Sequence, residues 1–492
     1  MATAAHDRDD EQWLRHVRPE GYQNPVPRGR YNLVVIGAGT AGLVAATGAA
    51  ALGARVAVIE KERLGGTHLS TVVPRISLTR SARVLTTTRN AGEFAVPYTS
   101  DSKVDFPSIL ARARRVRAEI AMHDDVQQLA AKGVEVYFGA GQFKDGAHIA
   151  VNGQVLSFAR ALIATGSVPA LPEIPGIETV RALRPEDVFT LNSVPRRLAI
   201  FGNDSAACEF AQAFARFGST VTLYDPGTRL LPQEDAAAAA MLRSALERDG
   251  VTLRFGTLDL KLSPSRISGR NSEGEFADEF EEILFLSNCK PNIEGLNLDA
   301  AHVDHEDESI GVNDRLRTTN PRIFAAGDVC ARLSFHNASD ALARSVVANA
   351  LFFGTYRYSP VHVPSLTLTD PEIARIGIGE SDPHAKHYRV MELTFKDVDR
   401  AAFEHQEGFL RLYHDHRGGI HGATLVCSHA GEMIGEIALA MRHNIRLSSL
   451  AADLHPYPTF SEVFKRAGDN YRRTLLTPTI SKLLTRVLGW RR

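Results

Sequence analysis

The sequence predicts an α/β protein that carries two strand–turn–helix–strand units in tandem, on three observations. An apolar, β-branched run from Tyr31 to Ile36 feeds a glycine-rich turn and then an alanine-rich stretch. The same pattern returns from Arg197 to Asp225 as an internal repeat. The chain has 492 residues, 44% hydrophobic and 23% charged. That composition is globular, with length for about three domains.

A formal net charge of −1 gives no basic excess of the kind nucleic acid attracts. No apolar run reaches the ~18 residues of a membrane span. Residues 1–30 are polar, carry Asp7, Asp9, Asp10 and Glu11, and lack an apolar signal core. They read as a flexible N-terminal arm on a cytoplasmic protein. Cys208, Cys289, Cys330 and Cys427 lie far apart, without CxxC or metal-type spacing. They read as buried thiols rather than a redox pair, and no metal is expected.

In the first unit the Tyr31–Ile36 strand leads into Gly37-Ala38-Gly39-Thr40-Ala41-Gly42. A helix to about Leu52 and a second strand from Arg55 to Ile59, closed by Glu60, complete it. Strand, GxGxxG, helix, strand and acid in one ~30-residue unit make a dinucleotide site. Gly37 serves the tight turn, Gly39 lets the backbone approach a pyrophosphate, and Gly42 lets helix and strand pack closely. The helix N-terminus favours the phosphates, and Glu60 is placed to accept from a ribose.

Two later segments, Ala161-Leu-Ile-Ala-Thr165-Gly166-Ser-Val-Pro169 and Thr319-Asn-Pro-Arg-Ile-Phe-Ala-Ala-Gly327-Asp328-Val329, carry a resemblance. With the two units they resemble the flavin-dependent pyridine nucleotide-disulfide reductases, which include mercuric reductase, dihydrolipoamide dehydrogenase and glutathione reductase. The resemblance covers about Tyr31 to Gly468. It implies two Rossmann-like FAD/NAD(P)-binding domains plus a C-terminal α+β interface (dimerisation) domain. The implied division is an arm (1–30), an FAD-binding domain in two parts (31–185 and 286–360), an NAD(P)-binding-like domain (186–285), the interface domain (361–470) and a basic amphipathic tail (471–492). FAD is then the expected cofactor of the first unit. Gly66, Thr67, Ala140, Thr165, Gly166, Gly327 and Asp328 join the glycines and Glu60 as its implied contacts. Asp328 is expected on the ribityl chain, at the start of a helix aimed at the flavin. Asp105 to Lys132 reads as a long, Arg-rich surface helix with a solvated charged face.

The second unit departs from the family pattern. Gly202 and Glu209 fit, Ala207 is a mild change, and Asp204 occupies the middle glycine position. A carboxylate there faces a doubly negative pyrophosphate. At ~4 Å and an effective dielectric of ~20, each charge pair costs roughly 4 kcal/mol. Asn288 stands where the resemblance implies a glycine near the nicotinamide path. Asp225, closing the second strand, still suits an NAD ribose. Gly202, Glu209 and Asp225 are therefore candidate NAD(H) residues at a site expected to bind it poorly.

The segment Leu64-Gly65-Gly66-Thr67-His68-Leu69-Ser70-Thr71-Val72-Val73-Pro74-Arg75-Ile76-Ser77-Leu78 resembles the family's electron relay, Gly-Gly-Thr-Cys-x4-Cys-Val-Pro-Ser-Lys. Here His68 replaces the first cysteine, Val72 the second, and the spacer is one residue short. Ile76 replaces a lysine that the resemblance places near the flavin, paired with a glutamate. Dithiol–disulfide exchange needs two sulfurs within reach of each other. Standard disulfide, lipoamide or mercuric reduction is excluded on this reading. His68 is a candidate acid–base, since an unperturbed imidazole titrates near physiological pH; plain packing is the alternative, and the favoured one.

From about Val361 the chain resembles the interface domain, which implies a homodimer whose partner completes the active site. Gly408 to Tyr413 reads as a strand, and Met433 to His443 as a helix. His455-Pro-Tyr457-Pro-Thr-Phe-Ser-Glu462 resembles the family's active-site signature, with Tyr457 at the acid–base position and Glu462 as its orienting carboxylate. A phenol is a poor base but a fair donor at neutral pH. In the tail, Ile480, Leu483, Leu484, Val487 and Leu488 recur at helical spacing among Lys482, Arg486, Arg491 and Arg492, with Trp490 near the end. Such a helix suits either an anionic membrane surface, which would put the protein at the inner face of the membrane, or the protein's own surface.

Three readings follow. One is an FAD-dependent oxidoreductase without a redox disulfide, acting directly on a small organic substrate. Another is an NADH-dependent, quinone-type version of it. The third is a non-catalytic flavin-binding scaffold.

Overall fold

The computed structural model describes residues 8–97, 104–286, 289–306, 309–330, 336–358 and 362–491. Asp7, Ser287, Asn288, Val361 and Arg492 lie outside the described residues. The chain divides into two compact units. One comprises Met1–Thr228 and Glu247–Pro360, the other Arg229–Leu246 and Val361–Arg492. The short segment Arg229–Leu246 therefore groups with the C-terminal unit rather than with the second nucleotide-type domain.

Among the described residues the first unit begins with α1 (Arg8–Val17), which is packed on the protein where a flexible arm was expected. Its polar composition hides one apolar face. Trp13 is only 6% exposed and Val17 is fully buried. The Arg117 guanidinium stacks on the Trp13 ring at 3.8 Å and is ion-paired with Asp10. His16 meets Asp125 at 2.6 Å. Beyond the helix, Tyr22 donates to Val136 O (3.0 Å), and Asn24 exchanges hydrogen bonds with the backbone of Phe138. A few specific contacts thus outweigh the polarity that suggested an arm.

The larger sheet is built from β1 (Arg30–Ile36), β2 (Val56–Glu60), β3 (Val134–Phe138), β4 (Gln142–Asp145), β5 (His148–Val151) and β6 (Gln154–Ile163). Their spatial order is β3-β2-β1-β6-β5-β4, with the strand Ile323–Ala325 parallel to β6. Val34 and Val35 of β1 are fully buried, as expected of a parallel strand covered on both faces. The parallel neighbours β2 and β6 leave β1 in opposite directions, so a crevice opens at its C-terminal end. Into it feeds α2 (Thr40–Ala51), whose alanines are strong helix formers and pack closely.

Next come α3 (Val73–Arg89), with Pro74 in its first turn, then α4 (Phe106–Ala121) and α5 (Val126–Ala131). The single surface helix expected from Asp105 to Lys132 is two. Asp125 ends the first by capping the second, accepting from Gln127 N–H (2.6 Å) and Gln128 N–H (3.2 Å). Its arginines are not simply solvated: Arg117 is buried, and Arg112 donates to Ser77 Oγ at 2.7 Å.

The internal repeat forms a parallel sheet ordered Thr252–Phe255, Thr220–Asp225, Arg197–Phe201, Glu282–Phe285, Ala182–Leu183. The central strand Arg197–Phe201 again precedes a helix, α6 (Ser205–Phe217), at a second crevice of the same type.

The C-terminal unit holds an antiparallel sheet ordered Ser365–Thr367, Glu372–Gly377, Ile420–Cys427, Phe409–His414, Arg389–Thr394. The helix Ala430–Arg442 shares a core with it through Ile434, Ile437 and Met441. The helix Glu462–Thr474 follows, then Pro478–Trp490, in which no residue is buried.

Candidate active site

At the first crevice Gly37 has φ +98, and its N–H donates to Ile59 O at 2.8 Å. Gly39 is the N-cap of α2 and brings no side chain to it, while Thr40, Ala41 and Gly42 form the first turn. A Cβ on Gly39 would meet nothing within 4 Å, whereas one on Gly42 would fall 1.9 Å from Gly37 O. One glycine therefore keeps space open and the other lets helix and strand pack. Glu60 accepts from Ala38 N–H (2.8 Å) and Glu62 N–H (2.7 Å), so it fixes the turn from the neighbouring strand. Burial raises the pKa of its carboxyl, partly offset by those N–H donors.

The other predicted contacts converge here. Gly66 abuts Gly39, where a Cβ would lie 3.1 Å from Gly39 Cα. Thr67 caps the next turn. Ala140 is exposed, one residue past Gly139, whose N–H donates to Glu60 O. Thr165 and Gly166 follow β6, and Gly166 O accepts from Asn292 N–H at 2.9 Å. The Thr165 hydroxyl is buried with no hydrogen-bond partner. A Cβ on Gly327 would lie 3.7 Å from Ala41 Cβ, and Asp328 Oδ2 accepts from Ser167 Oγ at 3.3 Å. Asp328 opens a short 3-10 turn to Cys330, and the next described element is the helix His336–Leu351.

The second crevice has the same plan with a different occupant. Gly202 keeps its glycine conformation at φ +144. Asp204 is the N-cap of α6, and its carboxylate accepts from Ala207 N–H at 2.9 Å. An internal anion thus covers donors that a phosphate would use. The side chain is exposed, yet surrounding protein raises its pKa, against the pull of the Ala207 and Ala206 N–H groups and Arg75. Asp225 Oδ1 accepts from Asn203 Nδ2 (2.9 Å) and Gly227 N–H (2.7 Å), so that oxygen is already engaged within the protein.

Glu209 is buried rather than open to a ligand. It is 2% exposed and paired with Arg75 of α3 at 3.2 Å. Ile76, in place of the lysine that the resemblance implies, is exposed and carries no charge. Arg75, the preceding residue, supplies it instead: a long guanidinium arm reaches a carboxylate from a neighbouring helix position. No motif pointed to Arg75. The buried glutamate left without a lysine was the signal that some other cation had to serve.

The segment ahead of α3 forms one π-helical turn, His68–Val72, closed by Val73 N–H on His68 O. A π turn joins residues five apart, so Val73 as well as Val72 stands near the place of the second cysteine. Neither carries sulfur. Among the described residues no disulfide joins two cysteines. Cys208, Cys330 and Cys427 are buried, but Cys289 is exposed, against expectation, because the edge strand Cys289–Pro291 pairs only with Ser167–Pro169. No group of three or more His, Cys, Asp or Glu side chains suits a metal among the described residues.

In the C-terminal unit Tyr457 is 67% exposed and donates to Asp399 Oδ2 at 3.0 Å. That bond, and the Asp399 charge, raise its pKa. Glu462 does not orient it by a hydrogen bond: the phenol donates to Asp399, and Glu462 Oε2 is buried with no hydrogen-bond partner. The His455 side chain is 8% exposed and bonds Glu436 through Nε2 at 3.1 Å.

The sequence pattern described as pyridine nucleotide-disulphide oxidoreductase matches residues 31–346, and that family's dimerisation domain matches residues 363–468. The chain belongs to this family. Its members are flavoprotein oxidoreductases that use FAD and a pyridine nucleotide, and the dimerisation domain supports a homodimer. A mercuric reductase of Staphylococcus aureus is 30% identical over 454 residues, covering 89% of this chain and 82% of that protein. A dihydrolipoyl dehydrogenase of Bacillus subtilis is 30% identical over 452 residues, covering 88% and 97%. Among solved structures, LpdA from Mycobacterium tuberculosis superposes with a TM-score of 0.79 at 25% identity, over 89% of this chain and 99% of that one.

The residues at the first crevice fit the family's FAD. The bare cap at Gly39, the open space beside it and the buried Thr165 hydroxyl are what a pyrophosphate-bearing ligand requires. The second crevice fits a pyridine nucleotide poorly, since Asp204 stands in the phosphate position.

Proposed function

We propose that this family member is an FAD-dependent oxidoreductase working without a redox-active disulfide, exchanging electrons directly between the flavin and a small organic substrate. The observation that carries this reading is the sulfur-free turn His68–Val72 where the relay cysteines belong. The Asp204 cap on α6 supports its second half, that NAD(P)H is not the main reductant. On this reading the protein is neither a disulfide nor a mercuric reductase.

FAD, when bound, supplies two-electron chemistry at its isoalloxazine ring. The chain's own part is to hold the cofactor and present its face. Gly39, Thr40, Ala41 and Gly42 offer N–H groups to the pyrophosphate, and Glu60 keeps the turn in register. Val72 and Val73 give an apolar approach in place of thiols. Tyr457 is protonated at neutral pH, as phenols are, and Asp399 raises its pKa further; its single O–H is held by Asp399, so it donates to substrate only by turning from that acceptor, and it is no base. His68 packs in the turn.

An NADH-dependent, quinone-type reductase is the second reading, kept by Asp225 at the end of its strand. A cytoplasmic location beside the inner face of a membrane fits a lipid-soluble substrate of that kind. The test is anaerobic reduction of the purified holoprotein by NADH, NADPH and a panel of organic donors including hydroquinones. Reduction by an organic donor, faster than by either nucleotide, is the expected result. Fast reduction by NADH coupled to dithiol turnover would sink the proposal, and reduction by dithionite or light alone would leave a flavin-binding scaffold.

A further inference from the structure

We propose that the helix Pro478–Trp490 is a docking surface for an anionic lipid bilayer. Thr477 caps it, with Ile480 N–H 3.4 Å from Thr477 Oγ1, and Pro478 opens its first turn. At ~100° per residue, Ile480, Leu483, Leu484, Val487, Leu488 and Trp490 occupy one half of its circumference. Lys482, Thr485, Arg486 and Gly489 occupy the other. Every one of those apolar residues is exposed, Leu483 by 61% and Trp490 by 88%. Leu475 and Leu476, just before the cap, extend the exposed apolar surface.

Charge decides what covers this face. After Asp469 the sequence contains no Asp or Glu, while Arg472, Arg473, Lys482, Arg486, Arg491 and Arg492 are all cationic. An apolar protein groove would satisfy the leucines but leave the run of cations without any acid in this stretch of sequence unexplained. A bilayer with anionic headgroups satisfies both, taking the apolar half into the acyl boundary and the cations at headgroup level. A terminal Trp suits the same interface. Thirteen residues span about 20 Å, too short to cross, and no described helix is long and apolar enough to do so. The helix therefore lies in the surface. This inference rests on no step of the flavin reading. Joined to it, a substrate dissolved in the bilayer is the kind within reach.

Vesicle binding tests it without turnover. The chain has two tryptophans, and Trp13 is buried, so a change in emission on binding reports Trp490. Holoprotein mixed with phosphatidylcholine–phosphatidylglycerol vesicles is expected to co-sediment with them and to blue-shift its emission. Pure phosphatidylcholine vesicles should bind far less. Replacing Lys482→Gln and Arg486→Gln together should weaken binding roughly 30-fold, from the loss of about one headgroup interaction per charge. A variant ending at Leu476 should lose binding while keeping its flavin absorbance, which shows that it is folded. No co-sedimentation with anionic vesicles, or undiminished binding by the shortened variant, overturns the proposal. So does binding to neutral vesicles as tight as to anionic ones. A dimer that falls apart when the helix is removed, with no lipid binding by the full chain, assigns the face to a second copy instead.

Discussion

Replacing Asp204→Gly removes the carboxylate that caps α6 and restores open space at the phosphate position. The charge alone is worth about 4 kcal/mol against one phosphate charge at ~4 Å and a dielectric of ~20. The side chain is exposed, and solvent screening cuts this to about 2 kcal/mol, a factor of roughly 30 in affinity. Titration calorimetry with ADP-ribose reads the phosphate site directly, independent of turnover. The variant should bind ADP-ribose roughly 30-fold more tightly than the parent, and flavin reduction by NADH should quicken. Asp204→Asn separates the two causes, because it keeps the bulk and removes the charge. The cost to folding is small: Gly in place of an Asp cap loses only about a few tenths of a kcal/mol. The pH dependence has a definite sign. Surrounding protein raises the Asp204 pKa, so its contribution to stability is present below the unfolded value and lost as pH rises through the folded one. As pH falls through that folded pKa, protonation should improve ADP-ribose binding by the parent and leave the Asp204→Gly variant unchanged. If neither variant binds better, or if the parent already binds at micromolar strength, Asp204 does not close the site.

Three further outcomes follow from the same geometry. Arg75→Ala removes the Arg75 guanidinium from the Glu209 carboxylate, 2% exposed, and should cost about 3 kcal/mol in thermal unfolding. The double variant Arg75→Ala/Glu209→Gln should recover much of that loss. Cys289→Ser, or alkylation of that exposed thiol, should leave turnover with an organic donor unchanged, and loss of turnover would reveal thiol chemistry after all. Tyr457→Phe should leave the melting temperature where it is, since the pair with Asp399 is at the surface, while lowering kcat with the organic substrate. Equal kcat for the two proteins would reduce Tyr457 to an interface residue.

Both crevices were legible in the sequence because their determinants are local. Gly37, Gly39 and Gly42 answer to contacts within one turn, and Glu60 and Asp225 close adjacent strands. Asp204 was legible for the same reason, since an acid in a glycine slot is a contradiction visible without coordinates. What stayed hidden was non-local. Arg75 meets Glu209 across more than a hundred residues of chain, and Trp13 finds Arg117 at a similar distance. Nothing in the spacing of either pair announces the contact. Tyr457 failed differently: the motif named Glu462 as its partner, but a phenol and an imidazole reach different acceptors, and Asp399 lies outside the motif.

The contrast between the caps of α2 and α6 divides the dependence of the protein on its ligands. Gly39 leaves the end of α2 to be completed from outside, so that part of the fold borrows stability from bound FAD and weakens when the cofactor is stripped. Asp204 completes α6 from within, and the first turn of that helix is capped whatever the nucleotide concentration. A cell short of flavin would hold a protein that loosens around α2 while α6 stays intact. Amide exchange should rise in α2 and remain flat in α6.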